Sequence, residues 1–250
     1  MVTLPLLFGS ADVPRYADVV AQLAHARERR MELRGKTGAA RSRAREGAVA
    51  AYRAVRKHHP RERAAVAESA FRAGELLRAA GCFDEAAGEF RLAVQEGEGT
   101  PYRVRGRLEL GHVLRRAGEE EAALDAYLAV VADDGACSHR RDEALLWTGR
   151  VHAEARRDSE ARRVWTRVAR EGEDPLDRIR AYDELGLLWI RRGDAEAAAG
   201  VWNQCRSALA DDALEQTERG TRVRGALERM RTLRELRRVV RERGRPPKFR

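Results

Sequence analysis

Apolar and small residues recur along this chain at helical spacing, and the spacing itself repeats. Around Gly186 lie Tyr182 and Leu185 before it and Trp189, Gly193, Ala198 and Trp202 after it. The same offsets from Gly111 find Leu110, Leu114, Gly118, Ala123 and Tyr127. From Gly74 they find Ala73, Leu77, Gly81, Ala86 and Phe90, and from Gly149 they find Leu145, His152, Ala161 and Trp165, with Arg156 where the other copies have glycine. The anchors stand 37, 38 and 37 residues apart. Such a unit predicts a helix, a tight turn and a helix, used four times. First helices are expected over residues 62 to 80, 103 to 117, 141 to 155 and 177 to 192, and second helices over 83 to 97, 119 to 133, 158 to 171 and 194 to 209. Glycine at the turn suits a left-handed helix ending, so Arg156 predicts a third turn that is strained or differently shaped. A glycine inside every first helix implies close helix contact, with Ala86, Ala123, Ala161 and Ala198 as the small facing residues and Phe90, Tyr127, Trp165 and Trp202 in the next layer.

The flanks are less regular. Ser10 or Asp12 followed by Pro14 reads as a helix start, with an apolar stripe of Tyr16, Val19, Val20, Leu23 and Met31. Thr37 is placed to cap a second helix that faces inward through Ala44, Ala48, Ala51, Tyr52 and Val55 and stops at Pro60. Ala48 and Tyr52 precede Ala86 and Phe90 by 38 residues, which makes this pair a degenerate copy of the unit. After the repeats, Leu214, Val223, Leu227, Met230, Leu233, Leu236 and Val240 predict one long helix. The expected organisation is therefore an N-terminal degenerate pair (1–61), four repeats (62–212), a capping helix (213–243) and a basic tail (244–250).

This pattern resembles the tetratricopeptide repeat family, whose unit carries an aromatic, Leu-Gly, an aromatic, then alanine and an aromatic at set offsets. Tyr182, Leu185, Gly186, Trp189, Ala198 and Trp202 carry the likeness best. The step is longer than the family's 34 residues by about one helical turn, which lengthens a helix without rotating its buried face. The resemblance implies an all-α, right-handed superhelical stack of helix-turn-helix repeats. It also implies a non-catalytic scaffold that holds a peptide or helix of a protein partner in a concave groove lined by first helices. Carried over residue by residue, the groove comprises Phe71, Glu75 and Arg78; Arg105, Leu108, His112 and Arg115; Leu146 and Arg150; Leu187 and Ile190. A partner with apolar anchors and acidic residues fits such a lining; the bland alternative is that the apolar members pack between helices and the arginines are solvated.

Charge divides the chain into three. Residues 1–65 carry +8, residues 66–215 carry −8 and residues 216–250 carry +9. An acidic repeat body between basic ends argues against nucleic acid along the whole length. It leaves an alternative in which the ends touch nucleic acid while the repeats recruit a protein. The strongest feature for it is Arg243, Gly244, Arg245, Pro246 and Lys248, which resembles an AT-hook, although a chain with 46 arginines produces such strings by composition. Cys82, Cys137 and Cys205 form no metal or disulfide pattern, and Cys137 with His139 is too sparse a ligand set, so no metal and no cofactor are expected. No phosphate-binding loop, nucleophile elbow or zinc-protease helix occurs, and an enzyme is the least expected class. The opening MVTLPLLFG lacks a basic leader and no apolar run approaches the roughly 20 residues that span a bilayer, so a cytoplasmic protein is the expectation.

Overall fold

The computed structural model describes residues 13–243. The apolar lead, with Ser10 and Asp12, and the tail residues Gly244, Arg245, Pro246 and Lys248 lie outside the described residues. Among those described the chain forms thirteen α-helices and no strand: α1 Val19–Met31, α2 Gly38–His58, α3 Arg63–Ala80, α4 Phe83–Glu96, α5 Pro101–Ala117, α6 Glu120–Val131, α7 Ser138–Glu154, α8 Asp158–Glu171, α9 Pro175–Arg191, α10 Ala195–Ala208, α11 Ala210–Leu214, α12 Glu218–Glu228 and α13 Arg231–Arg243. They form two compact units, one ending at Ala126 and one beginning at Tyr127.

The four repeat turns close in the same way. The amides of Cys82, Glu119, Arg157 and Asp194 donate to the carbonyls of Leu77, Leu114, His152 and Trp189, five residues back. The residue before each donor is left-handed: Gly81 at φ 81°, Gly118 at 84°, Arg156 at 61° and Gly193 at 78°. Arg156 thus keeps the shape of the other turns, and the expected difference appears as strain alone.

In the unit ending at Ala126, α2 packs on α3, α3 on α4 and α4 on α5. Ala48 and Tyr52 of α2 are as deeply buried as Ala86 and Phe90 of α4. The interior glycines correct one expectation. A methyl on Gly74 would stand 2.7 Å from the Phe90 ring, so the glycine makes room for the aromatic of the second helix rather than for its alanine. The first helix starts later than Pro14 implies. Buried Gln22 donates to the Pro14 carbonyl and accepts from the Tyr16 amide, which holds residues 14–16 out of helix, and Asp18 caps α1 through the Val20 amide at 3.0 Å. Its buried face is accordingly Gln22, Leu23 and Ala26, while Val20 and Met31 point to solvent.

In the unit beginning at Tyr127, α7 packs on α8, α8 on α9 and α9 on α10. Trp165, fully buried, lies against Gly149 and donates from its indole nitrogen to the Leu146 carbonyl at 3.1 Å. The single long C-terminal helix expected from the apolar pattern is three helices. Thr217 accepts from the Gly220 amide and restarts the chain as α12, and a second break at Arg229 and Met230 frees α13 to turn back onto α9 and α10. There Thr232 lies against Gly186, so in the fourth copy the interior glycine admits α13.

Candidate partner-binding surfaces

The eleven residues expected to line a groove fall in two sets, one in each unit. On α3, Phe71 is buried at 1% exposure; on α5, Leu108 is buried at 4%; on α7, Leu146 is buried at 5%. These three side chains belong to the core and offer a partner no surface, because their spacing serves contact between neighbouring helices. The charged members remain partly exposed and are mostly engaged. Glu75 accepts from Arg72 at 2.9 Å and lies 3.7 Å from Arg30, and Arg78 pairs with Glu109 at 3.1 Å. Arg105 stacks over the Phe71 ring at 4.3 Å, covering the apolar side chain it was expected to flank. His112 and Arg115 are partly exposed on α5.

In the second unit Arg150 is held from two sides. Its guanidinium lies 4.3 Å over Trp147 and reaches Glu184 Oε1 at 2.8 Å from Nε and 2.7 Å from Nη2. Leu187 and Ile190 on α9 are partly exposed and are the apolar residues of the expected set that reach the surface. Asp183, one turn before Leu187, receives α13. Its carboxylate accepts from the Thr232 amide at 2.8 Å, the Thr232 hydroxyl at 2.9 Å and Arg231 Nε at 3.0 Å.

Two clusters in this unit escaped the sequence reading. In one, Arg231 also reaches Glu184 Oε1 at 2.8 Å, so α7 and α13 place two arginines on one carboxylate oxygen that is almost buried. Arg192 pairs with Asp158 at 2.9 Å nearby, and these residues with Arg156 and Arg191 line a cleft of about 480 Å³. Nothing in the repeat pattern aligns Arg231 with the others, since it arrives from a helix outside the repeats.

In the other cluster, His139, Asp174 and Asp177 offer ligand atoms within 4.8 Å of one another. Those carboxylates are already engaged: fully buried Asp177 meets His139 Nδ1 at 2.5 Å and Arg180 at 2.7 Å, and Asp174 caps α9 through the Leu176 amide. Burial, with the charge of Asp177 close by, pushes the neighbouring Asp142 carboxyl up to about 6. Burial likewise raises the Cys205 thiol to about 12, while Cys82 and Cys137 are exposed. No described helix is long and apolar enough to cross a membrane.

The backbone can be matched to solved structures. MamA superposes with a TM-score of 0.55 at 18% identity, covering 80% of this chain and 100% of its own. A Podosopora anserina protein of nearly identical TPR-like repeats gives 0.58 at 16% identity, covering 80% and 100%. The fold is that of the tetratricopeptide-like repeat proteins. BtubC from P. vanneervenii extends the match to 94% of this chain and 96% of its own, at a TM-score of 0.50 and 17% identity. No family model matches the chain, and no curated protein matches it by sequence. At these identities the tetratricopeptide-like assignment concerns the backbone, and side chains must speak for themselves.

Proposed function

We propose that this protein is a non-catalytic interaction scaffold that binds a segment of a protein partner on the first-helix faces of its repeats. The tetratricopeptide-like fold carries the reading. Its side-chain support is the partly exposed group Leu187 and Ile190 on α9, with Arg150 close by on α7, and in the other unit Arg105, His112 and Arg115 on α5. With Phe71, Leu108 and Leu146 inside, the unit beginning at Tyr127 offers apolar anchors at Leu187 and Ile190 and a cation at Arg150, and the unit ending at Ala126 offers Arg105 and Arg115 to acidic residues. Affinity capture from nuclease-treated extract tests this. Arg105→Glu with Leu187→Glu is expected to lose partners that Arg91→Glu, on the exposed side of α4, retains. Equal recovery by both variants removes the groove reading.

A second reading has one observation in its favour. On α12, α13 and the break between them, Arg222, Arg229, Arg234, Arg237 and Arg241 are exposed, and none has a carboxylate partner among the described residues. This extends the basic C-terminus beyond the tail and suits a phosphate backbone. Retention on DNA that falls steeply with salt, and weakens when residues 243–250 are removed, supports it; no retention at low salt excludes it.

A further inference from the structure

The cleft of about 480 Å³ formed by the turns of the third and fourth repeats with α13 brings five arginines together. Three of them are fixed. Arg150 and Arg231 share Glu184, Arg231 also holds Asp183, and Arg192 holds Asp158, so these guanidinium planes are set before any ligand arrives. Arg156 and Arg191 are different: both are exposed, and among the described residues neither has a carboxylate partner.

Arg156 is also the one described residue other than glycine with a positive φ. The corresponding turns carry glycine, so the arginine keeps a backbone strain that its neighbours avoid, and it does so at the mouth of the cleft. Strain retained against an available alternative is the mark of a side chain with a task.

We propose that this cleft is a phosphate-binding site for a phosphorylated serine or threonine in a partner segment. The lining's five arginines exceed its three carboxylates, Glu154, Asp158 and Glu184, by two, and that surplus matches the charge of roughly −1.5 to −2 on a phosphate monoester, whereas a carboxylate supplies one negative charge. Flat forks with parallel donors suit phosphate oxygens. The lining favours a peptide over a nucleotide. The aromatic residue of the lining, Trp165, is fully buried behind Gly149 and offers a base no face, and the rings beside the lining, Trp147 and Trp189, already lie under Arg150 and Arg192. The proposal rests on the scaffold reading and adds the covalent mark on the partner.

The test uses the full chain immobilised against a degenerate peptide library centred on phosphoserine or phosphothreonine, the same library after phosphatase treatment, and inorganic phosphate and ATP as competitors. Retention at least tenfold above the dephosphorylated library is expected, and loss of that preference in Arg156→Glu/Arg191→Glu. Arg156→Gly with Arg191→Gln, which introduces no new charge, guards against misfolding; it is expected to lower the preference severalfold with an unchanged helical circular dichroism spectrum. Equal retention of the two libraries, or an undiminished preference in the mild variant, overturns the proposal. Binding of inorganic phosphate or ATP without preference for phosphopeptides overturns the peptide assignment. Cellular partners that survive phosphatase treatment yet are lost with Arg105→Glu/Leu187→Glu leave the scaffold reading standing and remove this one.

Discussion

Arg156 and Gly149 lie seven residues apart in the third repeat and depart from side-chain norms in opposite directions. At Arg156 a side chain occupies a conformation made for glycine. Replacing it with glycine relieves a left-handed strain of about 1–2 kcal/mol, partly offset by the greater freedom of glycine in the unfolded chain. Arg156→Gly is therefore expected to raise stability by about 0.5–1 kcal/mol in urea unfolding, while weakening any anion bound in the cleft. Gly149 has no room for a methyl against Trp165. Gly149→Ala must displace a fully buried ring and its hydrogen bond to Leu146, and a loss of about 2–4 kcal/mol is expected. Gly88, also within a helix, has open space where its Cβ would be. Gly88→Ala should stabilise by about 0.5–1 kcal/mol, and the opposite signs of these alanine variants separate packing from helix propensity.

At the scale of elements, buried carboxylates join helices that are distant in sequence. Glu89 on α4 takes Arg53 at 2.6 Å and Arg56 at 2.7 Å from α2, fastening the degenerate N-terminal pair to the first regular repeat. Asp183 does the same for α13, where it accepts from the first turn's Thr232 amide as well as from Arg231. Removing the carboxylate leaves the buried Thr232 amide without an acceptor and Arg231 with Glu184 alone, so Asp183→Ala is expected to cost about 3 kcal/mol. Hydrogen exchange locates the effect: amides of α13 should lose protection while those of α3 and α4 keep theirs. Uniform loss across both units would mean that α13 is not a separately released element.

Across the unit beginning at Tyr127, the acidic group beside α9 makes stability depend on pH. Asp142 stands raised from 3.8 to about 6 by burial first and by Asp177 second. Between these values the folded chain keeps a proton that the unfolded chain has lost. Stability from this group therefore falls as pH rises from about 4 to 6, and the penalty is complete above 6. Allowing for solvent screening of a partly exposed carboxyl, Asp142→Asn should gain about 1 kcal/mol at pH 7.5 and almost nothing at pH 4. Thermal unfolding at the two pH values checks it; a gain independent of pH would assign the effect to something other than the charge.

The repeat itself was legible because it is written in local chemistry. Helix faces, turn glycines and interior glycines are set by residues within one unit, and the boundaries of α3 to α10 follow from them to within three residues. The tetratricopeptide-like backbone is thus a property of the sequence alone. What the sequence left undecided are contacts between residues far apart in the chain. Phe71, Leu108 and Leu146 sit on the expected stripes, yet burial depends on what a neighbouring helix covers, and that placed them inside. The break at Met230 sends α13 back to Asp183 and brings Arg231 beside Arg150, 81 positions earlier in the numbering. No periodicity encodes that meeting. A helix pair repeats because its own residues demand it, whereas the arginine cleft exists because a non-repeating helix found the interior glycine and the buried carboxylates of the last copy.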